Sequence, residues 1–286
     1  TADGGANEAF SFDLRVEGQV LPQDSLALVA MYQQLDGENW QKQQYWLQSP
    51  VSGWQGVQVE NGRVVGLDFQ QAGLKGELPE DFYALTALQN LQITGNQVTG
   101  ILDDRISAMS QLESLVLHEP QLTATFLPQL SLLDQLRVLS LRDVEVDTNL
   151  PSNLGTLADL QVLEIVNAGL SGAIPASLGD LAELRDLDLS QNRLTGILPV
   201  EIATLGKLES FRADQNLLNG SLPAELASLP ALEFLSLEDN LLTGIPGNIL
   251  SSNTRLVLTN AIYFNAAWLN EFEAENTYDG NFNLPD

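Results

Sequence analysis

Apolar residues recur along the chain with a constant spacing. The segment LRDLDLSQNRLTGILPVEIATLGKL, residues 184–208, holds one period: an alternating apolar stretch, an asparagine, a Leu-Thr-Gly turn and a second apolar run. The central apolar-x-apolar pair returns every 24 residues, and only the last step is shorter, at 21 residues. The coils are numbered 1 to 9 in chain order. The first residue of the pair in each coil is, in that order, Leu67, Leu91, Leu115, Leu139, Leu163, Leu187, Phe211, Leu235 and Leu256. Such a period is typical of a solenoid.

The alternation within each period predicts one short strand per coil. Alternate residues of a strand point to opposite faces, so the leucines face the core and the residues between them face outward. The second apolar run returns the chain along the opposite side. We therefore predict an α/β solenoid, curved, with a parallel β-sheet on its concave face. Nine strands at about 4.8 Å each give a sheet of about 40 Å.

The ends of the array predict caps, because terminal coils lack a neighbour. We expect a tail or lead-in over residues 1–22, an N-terminal cap over 23–63, the solenoid over 64–258 and a C-terminal cap over 259–286. Pro22 and Asp24 begin a predicted helix that Gly37 ends, with Asp24 capping its free amides. The cap's apolar stripe consists of Leu28, Met31, Tyr32 and Leu35, and its tryptophans are Trp40, Trp46 and Trp54.

The far end is rich in aromatic residues. Asn265 is positioned to cap a short helix whose Phe264, Trp268 and Phe272 share one face. We interpret this segment as a second lid on the core.

A predicted ladder of structural asparagines occupies the ninth position of the period. Its members are Asn96, Asn192, Asn216 and Asn240. A buried carboxamide there can bond backbone groups of its own coil and the next one. Coil 1 has Ala72 instead, and three consecutive internal coils have Pro120, Val144 and Ala168. Lost regularity of this kind indicates either function or drift in a tolerant array.

The same three irregular coils place valines at outward strand positions, where polar residues are usual. Val116, Val138, Val162 and Val166 are predicted to form the centre of a ligand-binding patch. The full predicted site is Val116, His118, Val138, Ser140, Arg142, Val162, Glu164 and Val166, with His118, Arg142 and Glu164 setting orientation. The alternative is that β-branched residues simply favour strands.

Charge and composition limit the classes of partner that the chain is expected to bind. A formal charge of −26 opposes contact with nucleic acid and anionic lipid, which call for basic patches. It fits solubility in a salty or extracellular setting, or a specific cationic partner. Cysteine is absent, so the chain offers neither a disulfide framework nor a thiolate metal site. No apolar run is long enough to span a membrane, and the chain does not begin with a signal-like segment. We expect a monomer.

Candidate chemistry is sparse. The chain has a single histidine, His118, and lacks phosphate-loop, zinc-helix and calcium-loop motifs. We therefore expect no catalytic residues, no metal and no cofactor. Weak calcium binding at acidic pairs such as Asp103–Asp104 and Glu238–Asp239 stays open. The outward positions are too varied for an ice-binding array.

The period resembles a known family. The pattern LxxLxxLxLxxNxLxGxIPxxLGxL, as in residues 160–208, resembles leucine-rich repeats of the plant-specific subtype, over about 64–246. The helix followed by DGENW and by Trp54, Gly56 and Val57 resembles the cap that precedes such repeats. Plant extracellular members usually carry paired cysteines there; their absence favours a bacterial surface or secreted relative. The resemblance implies binding of proteins or peptides on the concave face, without catalysis.

A shorter resemblance covers residues 254–282. The segment TRLVLTNAIYFNAAWLNEFEAENTYDGNF is similar to a serpin strand-and-turn segment. The serpin reactive loop is missing, so this segment alone is not expected to inhibit a protease, and we interpret it as a cap.

Three functions follow from these patterns. The first is a non-catalytic, secreted or cell-surface binding or adhesion module. The second is an inhibitor of a secreted hydrolase, or part of a larger serpin-like fusion. The third is a carbohydrate-binding or carbohydrate-active protein.

Overall fold

The computed structural model describes residues 20–244 and 255–257. It contains one α-helix, α1 (Pro22–Gln34), within these residues. The strands in chain order are β1 (Val57–Glu60), β2 (Arg63–Gln70), β3 (Lys75–Glu77), β4 (Asn90–Thr94), β5 (Gln97–Leu102), β6 (Ser114–His118), β7 (Gln121–Ala124), β8 (Val138–Arg142), β9 (Val162–Val166), β10 (Ser171–Ala173), β11 (Asp186–Asp188), β12 (Arg193–Gly196), β13 (Ser210–Arg212), β14 (Leu217–Ser221), β15 (Phe234–Ser236), β16 (Leu241–Gly244) and β17 (Arg255–Val257).

The main sheet confirms the predicted solenoid. Its strand order is β1-β2-β4-β6-β8-β9-β11-β13-β15-β17, with β1 antiparallel to β2 and the other neighbours parallel. Within the described residues, the nine strands from β2 onward match the nine predicted coils. Leu235 pairs with Leu256, as the shortened last step predicts. The outward side of this sheet is called the concave face below.

Each regular coil also forms a second strand, which the repeat pattern did not predict. The Leu-Thr-Gly turn belongs to β12, in a parallel sheet ordered β10-β12-β14-β16, and coils 1 to 3 supply a similar sheet ordered β3-β5-β7. Glycine permits the positive φ that this turn requires, as at Gly196 with φ of 79°. In coil 4 only two isolated bridges remain, Thr123 to Glu145 and Asn149 to Ser171.

Short 3-10 helices complete the coils opposite the main sheet. Their leucines and isoleucines, such as Leu178 and Ile202, are fully buried, so the return segment and the sheet enclose one continuous core. The described 3-10 helices are Gly37–Asn39, Val51–Gly53, Glu80–Ala84, Asp104–Ala108, Leu127–Leu132, Leu154–Thr156, Ala176–Asp180, Val200–Thr204 and Ala224–Ser228.

The N-terminal end of the core is covered by α1 and the tryptophans. Trp46 contacts Trp40 and Trp54 at ring-centroid distances of 4.9 Å and 4.6 Å. Asp24 does not cap α1, contrary to the expectation. It is fully buried and accepts hydrogen bonds from Arg63 Nε at 3.0 Å and the Val64 amide at 2.8 Å. Asp24 therefore fastens α1 to β2.

The backbone groups that the ladder asparagines bond lie in their own coil and the preceding one, not in the next one as expected. Asn192 Oδ1 accepts from the amides of Ala168 and Leu170, and its Nδ2 donates to the carbonyls of Ile165 and Leu189. Asn216 and Asn240 bond Leu194 and Leu218 in the same way. One side chain thus joins two coils.

The irregular coils replace the missing asparagines with other acceptors. In coil 3, Glu119 is fully buried and accepts from the Asn96 amide at 2.8 Å, Asn96 Nδ2 at 3.0 Å and the Val98 amide at 3.3 Å. In coil 4, the amide of Val146 donates instead to the carbonyl of Ala168, at 2.8 Å. Regularity is lost here, but the amides of Val98 and Val146 keep an acceptor in the next coil.

The predicted aromatic lid, with its Asn265 cap, lies outside the described residues, as does most of the predicted tail. The domain boundaries therefore stay predictions.

Candidate functional site on the concave face

The outward residues of β6, β8 and β9 form three rows across the concave face. The register aligns Ser114 with Val138 and Val162 in the first row, and Val116 with Ser140 and Glu164 in the second. In the third row Arg142 lies opposite Val166, and His118 precedes them on β6. All eight predicted site residues therefore lie on adjacent strands of one face.

The valines do not form a single centre. Val138 and Val162 are directly opposite, and Val116 lies diagonal to Val138, a distance that is typically about 7 Å. These three half-buried residues are called the valine patch. Val166 stands apart beside Arg142 and is only 8% exposed, so it contributes little surface.

A chain of polar contacts fills the centre instead. His118 Nε2 lies 2.9 Å from Ser140 Oγ, and Ser140 Oγ donates to Glu164 Oε2 at 2.6 Å. Arg142 donates to both oxygens of Glu164, at 2.8 Å and 3.3 Å, and reaches Asp188 at 3.5 Å. This polar network, consisting of His118, Ser140, Arg142, Glu164 and Asp188, joins four neighbouring strands.

The network fixes the charge of its members. Burial would raise the pKa of Glu164, but hydrogen bonds from Arg142 and Ser140 outweigh it, so the pKa is lowered and the carboxylate stays ionised. Burial, and then the positive charge of Arg142, lower the pKa of His118. His118 is therefore neutral at pH 7. The Ser140 hydroxyl donates its hydrogen bond to Glu164, so its oxygen can only accept from His118. The neutral His118 therefore carries its hydrogen on Nε2.

This arrangement of serine, histidine and glutamate differs from a hydrolytic triad. In a triad the histidine accepts the serine proton and a carboxylate orients the histidine. Here Ser140 lies between His118 and Glu164, and donates to the carboxylate. Ser140 is also only 4% exposed, out of reach of a substrate. The geometry serves to hold side chains in place rather than to activate a nucleophile.

Acidic residues continue the face beyond the valine patch. Asp186 lies opposite Val162 in the first row. Burial, and then the negative charge of Glu209, raise its pKa. No neighbouring cation forms an ion pair with Asp186 among the described residues, so this carboxylate is available to a positively charged ligand.

Metal binding finds no support in the described part of the chain, where no group of three or more histidine, aspartate or glutamate side chains is placed to hold an ion. Asp103, one member of an acidic pair considered for calcium, is paired with Arg105 at 2.9 Å. No helix within the described residues is both long and apolar enough to cross a membrane.

Two features of the structure were not predicted from the sequence. Glu119 was not singled out, although an acid directly before Pro120 at a ladder position was the available signal. A pocket of about 310 Å³ at the N-terminal end of the face was also missed, because it depends on β1 folding back beside β2. The residues that line it are Gln58, Gly66, Leu67, Asp68, Asn90, Leu91, Gln92 and Ser114.

Comparison with known proteins supports the repeat architecture. The Leucine Rich Repeat family model matches residues 183–205. The ectodomain of the Arabidopsis thaliana receptor kinase GASSHO1/SCHENGEN3, solved with CASPARIAN STRIP INTEGRITY FACTOR 2, is similar with a TM-score of 0.73 and 32% identity, over 82% of this chain and 29% of that one. The Arabidopsis receptor kinase HAESA, in complex with the peptide hormone IDA and the co-receptor SERK1, gives a TM-score of 0.69 and 29% identity, over 78% and 39%.

The C-terminal segment is similar to a different class of protein. The Serpin (serine protease inhibitor) family model matches residues 240–286. Serpin-ZXA of Oryza sativa subsp. japonica is 48% identical over 42 residues, which are 15% of this chain and 11% of that protein. Most of this segment lies outside the described residues, so its capping role stays a prediction, as does the expected bacterial origin.

The chain spans about a third of the receptor ectodomains that it resembles. Its repeats, its parallel sheet and its structural neighbours agree, and the chain has the leucine-rich repeat fold.

Proposed function

We propose that this protein is a non-catalytic module, secreted or on the cell surface, that binds an extended peptide or protein segment on the concave face of coils 3 to 5. The valine patch and the polar network carry this proposal. Apolar contact area beside fixed, oriented charges is the composition of a recognition surface. The receptor kinase HAESA, which has a similar fold, was solved in complex with a peptide hormone, which supports a peptide as the ligand.

The charge of the face defines the partner further. The whole chain carries a formal charge of −26, and Asp186 beside the valine patch makes no ion pair within the described residues. Complementary charge steers association and suppresses wrong partners. The partner is therefore a segment with both aliphatic and basic side chains.

Selection from a library of random peptides tests this function. The affinity of the selected peptides is then measured for the intact chain and for the double variant Val138→Asp with Val162→Asp. We expect affinity to fall at least tenfold, because binding would have to desolvate two carboxylates in place of an apolar contact, while the melting temperature stays close to that of the intact chain.

The matched control places the same charges on the opposite side of the solenoid. Leu132 and Val200 are 56% and 46% exposed, at the 3-10 helices, so Leu132→Asp with Val200→Asp should retain full affinity. Equal affinity of both double variants would contradict the proposed site.

A further inference from the structure

The pocket beside β1 differs from the rest of the concave face because glycine forms its floor. Gly66 is buried and outward-facing on β2, opposite Gln58 of β1. A Cβ atom at position 66 would lie 2.7 Å from Gln58 Oε1. The missing side chain at Gly66 leaves a hollow of about 310 Å³ between Gln58 and the outward residues of β4.

The polar side chains around this hollow are uncommitted. Gln58, Asp68, Asn90 and Gln92 are called the amide pocket. None of the four side chains makes a hydrogen bond or an ion pair within the described residues. In the polar network, by contrast, every charged group already has a partner. Gln58, Asp68 and Asn90 are exposed and Gln92 is half-buried, so their polar groups border one hollow and are open to a ligand from solvent.

The chemistry of the amide pocket indicates what that ligand offers. Asp68 is the one charged residue among those that line the pocket, and it is negative. Three carboxamides supply both donors and acceptors, as the N–H and C=O of a peptide group require. The residues that line the pocket include no aromatic ring, which a sugar would use as a stacking platform.

From this geometry we infer that the amide pocket captures the free amino terminus of the bound peptide. Asp68 pairs with the terminal ammonium, and Asn90 and Gln92 bond the first peptide group. This inference rests on the proposed function and specifies that the amino-terminal end of the peptide is the end recognised.

The register connects the amide pocket to the valine patch. Asp68, Gln92 and Val116 are successive members of one row, and Gly66, Asn90, Ser114 and Val138 of another. Three strand spacings separate β2 from β8, about 14 Å, which an extended peptide covers in about four residues. A peptide held by its amino terminus therefore places an aliphatic side chain on the valine patch at about its fourth to sixth residue.

The test uses random decapeptides coupled to a surface through their carboxyl ends, prepared either with a free amino terminus or N-acetylated. Binding is measured for the intact chain, for Asp68→Asn and for the control Asp159→Asn. The control makes the same charge change at an exposed turn residue before β9. We expect the free-amine pool to bind at least tenfold more strongly than the acetylated pool. Asp68→Asn should abolish this preference and Asp159→Asn should retain it.

The other outcomes separate this inference from the proposed function. Equal binding of both pools, with loss on Val138→Asp and Val162→Asp, would overturn the amine capture and leave the peptide-binding function standing. Absence of binding to either pool counts against both. Binding to a surface coated with neutral oligosaccharides, abolished by Asp68→Asn, would overturn the inference in favour of a carbohydrate site.

Discussion

Coils 6 to 8 and coils 3 to 5 differ in the groups that accept hydrogen bonds from the backbone amides of the preceding coil. In coils 6 to 8 the same residue type, at Asn192, Asn216 and Asn240, joins each coil to the preceding one. In coils 3 to 5 the acceptors are a buried carboxylate at Glu119 and a backbone carbonyl at Ala168. Val144 of coil 4 offers no side-chain acceptor, and the Leu122 amide of coil 3 donates to the Glu119 carbonyl of its own coil. These coils therefore stack without an asparagine at the ninth position.

The concave face differs between the same two regions. Outward residues of the regular coils include the half-buried acids Asp186 and Asp214 and the cation Arg212, which lies 4.5 Å from the ring of Phe234. In the irregular coils, charges are tied together by the polar network beside the valine patch. The region that departs from the repeat on the inside also carries the valine patch and most of the polar network on the outside.

The largest expected effect comes from breaking a regular coil. Asn216→Ala removes an acceptor for Leu194 and donors for the carbonyls of Leu189 and Ala213, all buried. Each unpaired buried group costs about 1–3 kcal/mol, so we expect the free energy of unfolding to fall by about 3 kcal/mol in total. Urea denaturation measures it, with the exposed Asn219→Ala as control. A loss equal to that of the control would show that the ladder does not stabilise the stack.

Removing Glu119, the corresponding acceptor in the irregular coils, should lower the free energy of unfolding somewhat less. Glu119→Ala leaves the amides of Asn96 and Val98 without their acceptor. We expect a loss of about 2 kcal/mol, since ionised Glu119 already bears a desolvation cost that its removal relieves. The same denaturation experiment measures the loss. An unchanged free energy of unfolding would mean that the carboxylate does not substitute for the ladder.

The ion pair on the concave face should contribute less. Arg142 and Glu164 have side chains that are 36% and 23% exposed, and solvent screens their attraction. A double-mutant cycle with Arg142→Ala and Glu164→Ala should give a coupling energy of about 1 kcal/mol. The exposed pair Arg185 and Glu209 is the control and should give less. Equal coupling in the two cycles would remove the distinction between the networked and the isolated pairs.

The smallest expected effect is the contribution of Glu119 to the pH dependence of the free energy of unfolding. Burial outweighs the hydrogen bonds from Asn96 and Val98, so the pKa of Glu119 is raised above the ordinary value of 4.5. The folded state then holds this proton more tightly than the unfolded chain, and stability falls as pH rises from 4.5 through the raised pKa.

Glu119→Gln cannot titrate and should lack this contribution. Its free energy of unfolding should therefore decrease less than that of the intact chain between about pH 4 and pH 7. The exposed Glu233→Gln serves as control. Parallel pH profiles for Glu119→Gln and the intact chain would contradict the raised pKa.

The repeat itself was predictable because it depends only on periodic burial. The constant step to Leu235, and the shorter one to Leu256, are sufficient to specify the number of strands and their register. The second strands, such as β12, were not expected, because a Leu-Thr-Gly sequence alone does not distinguish a turn from a short strand that pairs with the next coil.

The site was predictable only in part. Alternation placed Val138, Arg142 and Glu164 on one face, but row order depends on the register of neighbouring strands, which separated Val166 from the other valines. Asp24 was misinterpreted because helix capping is a local rule, whereas its partner Arg63 lies 39 residues away. The amide pocket likewise depends on the antiparallel pairing of β1 with β2.

The absence of cysteine from the chain permits one clean measurement of where a peptide binds. Ser114 lies between the amide pocket and the valine patch, and Ser152 is exposed near the 3-10 helix Leu154–Thr156. Ser114→Cys and Ser152→Cys are each labelled with a polarity-sensitive fluorophore and titrated with a library-selected peptide. If the peptide lies on the concave face, a saturable blue shift is expected at position 114 and none at position 152. A shift confined to position 152, or one of equal size at both positions, would contradict binding on the concave face.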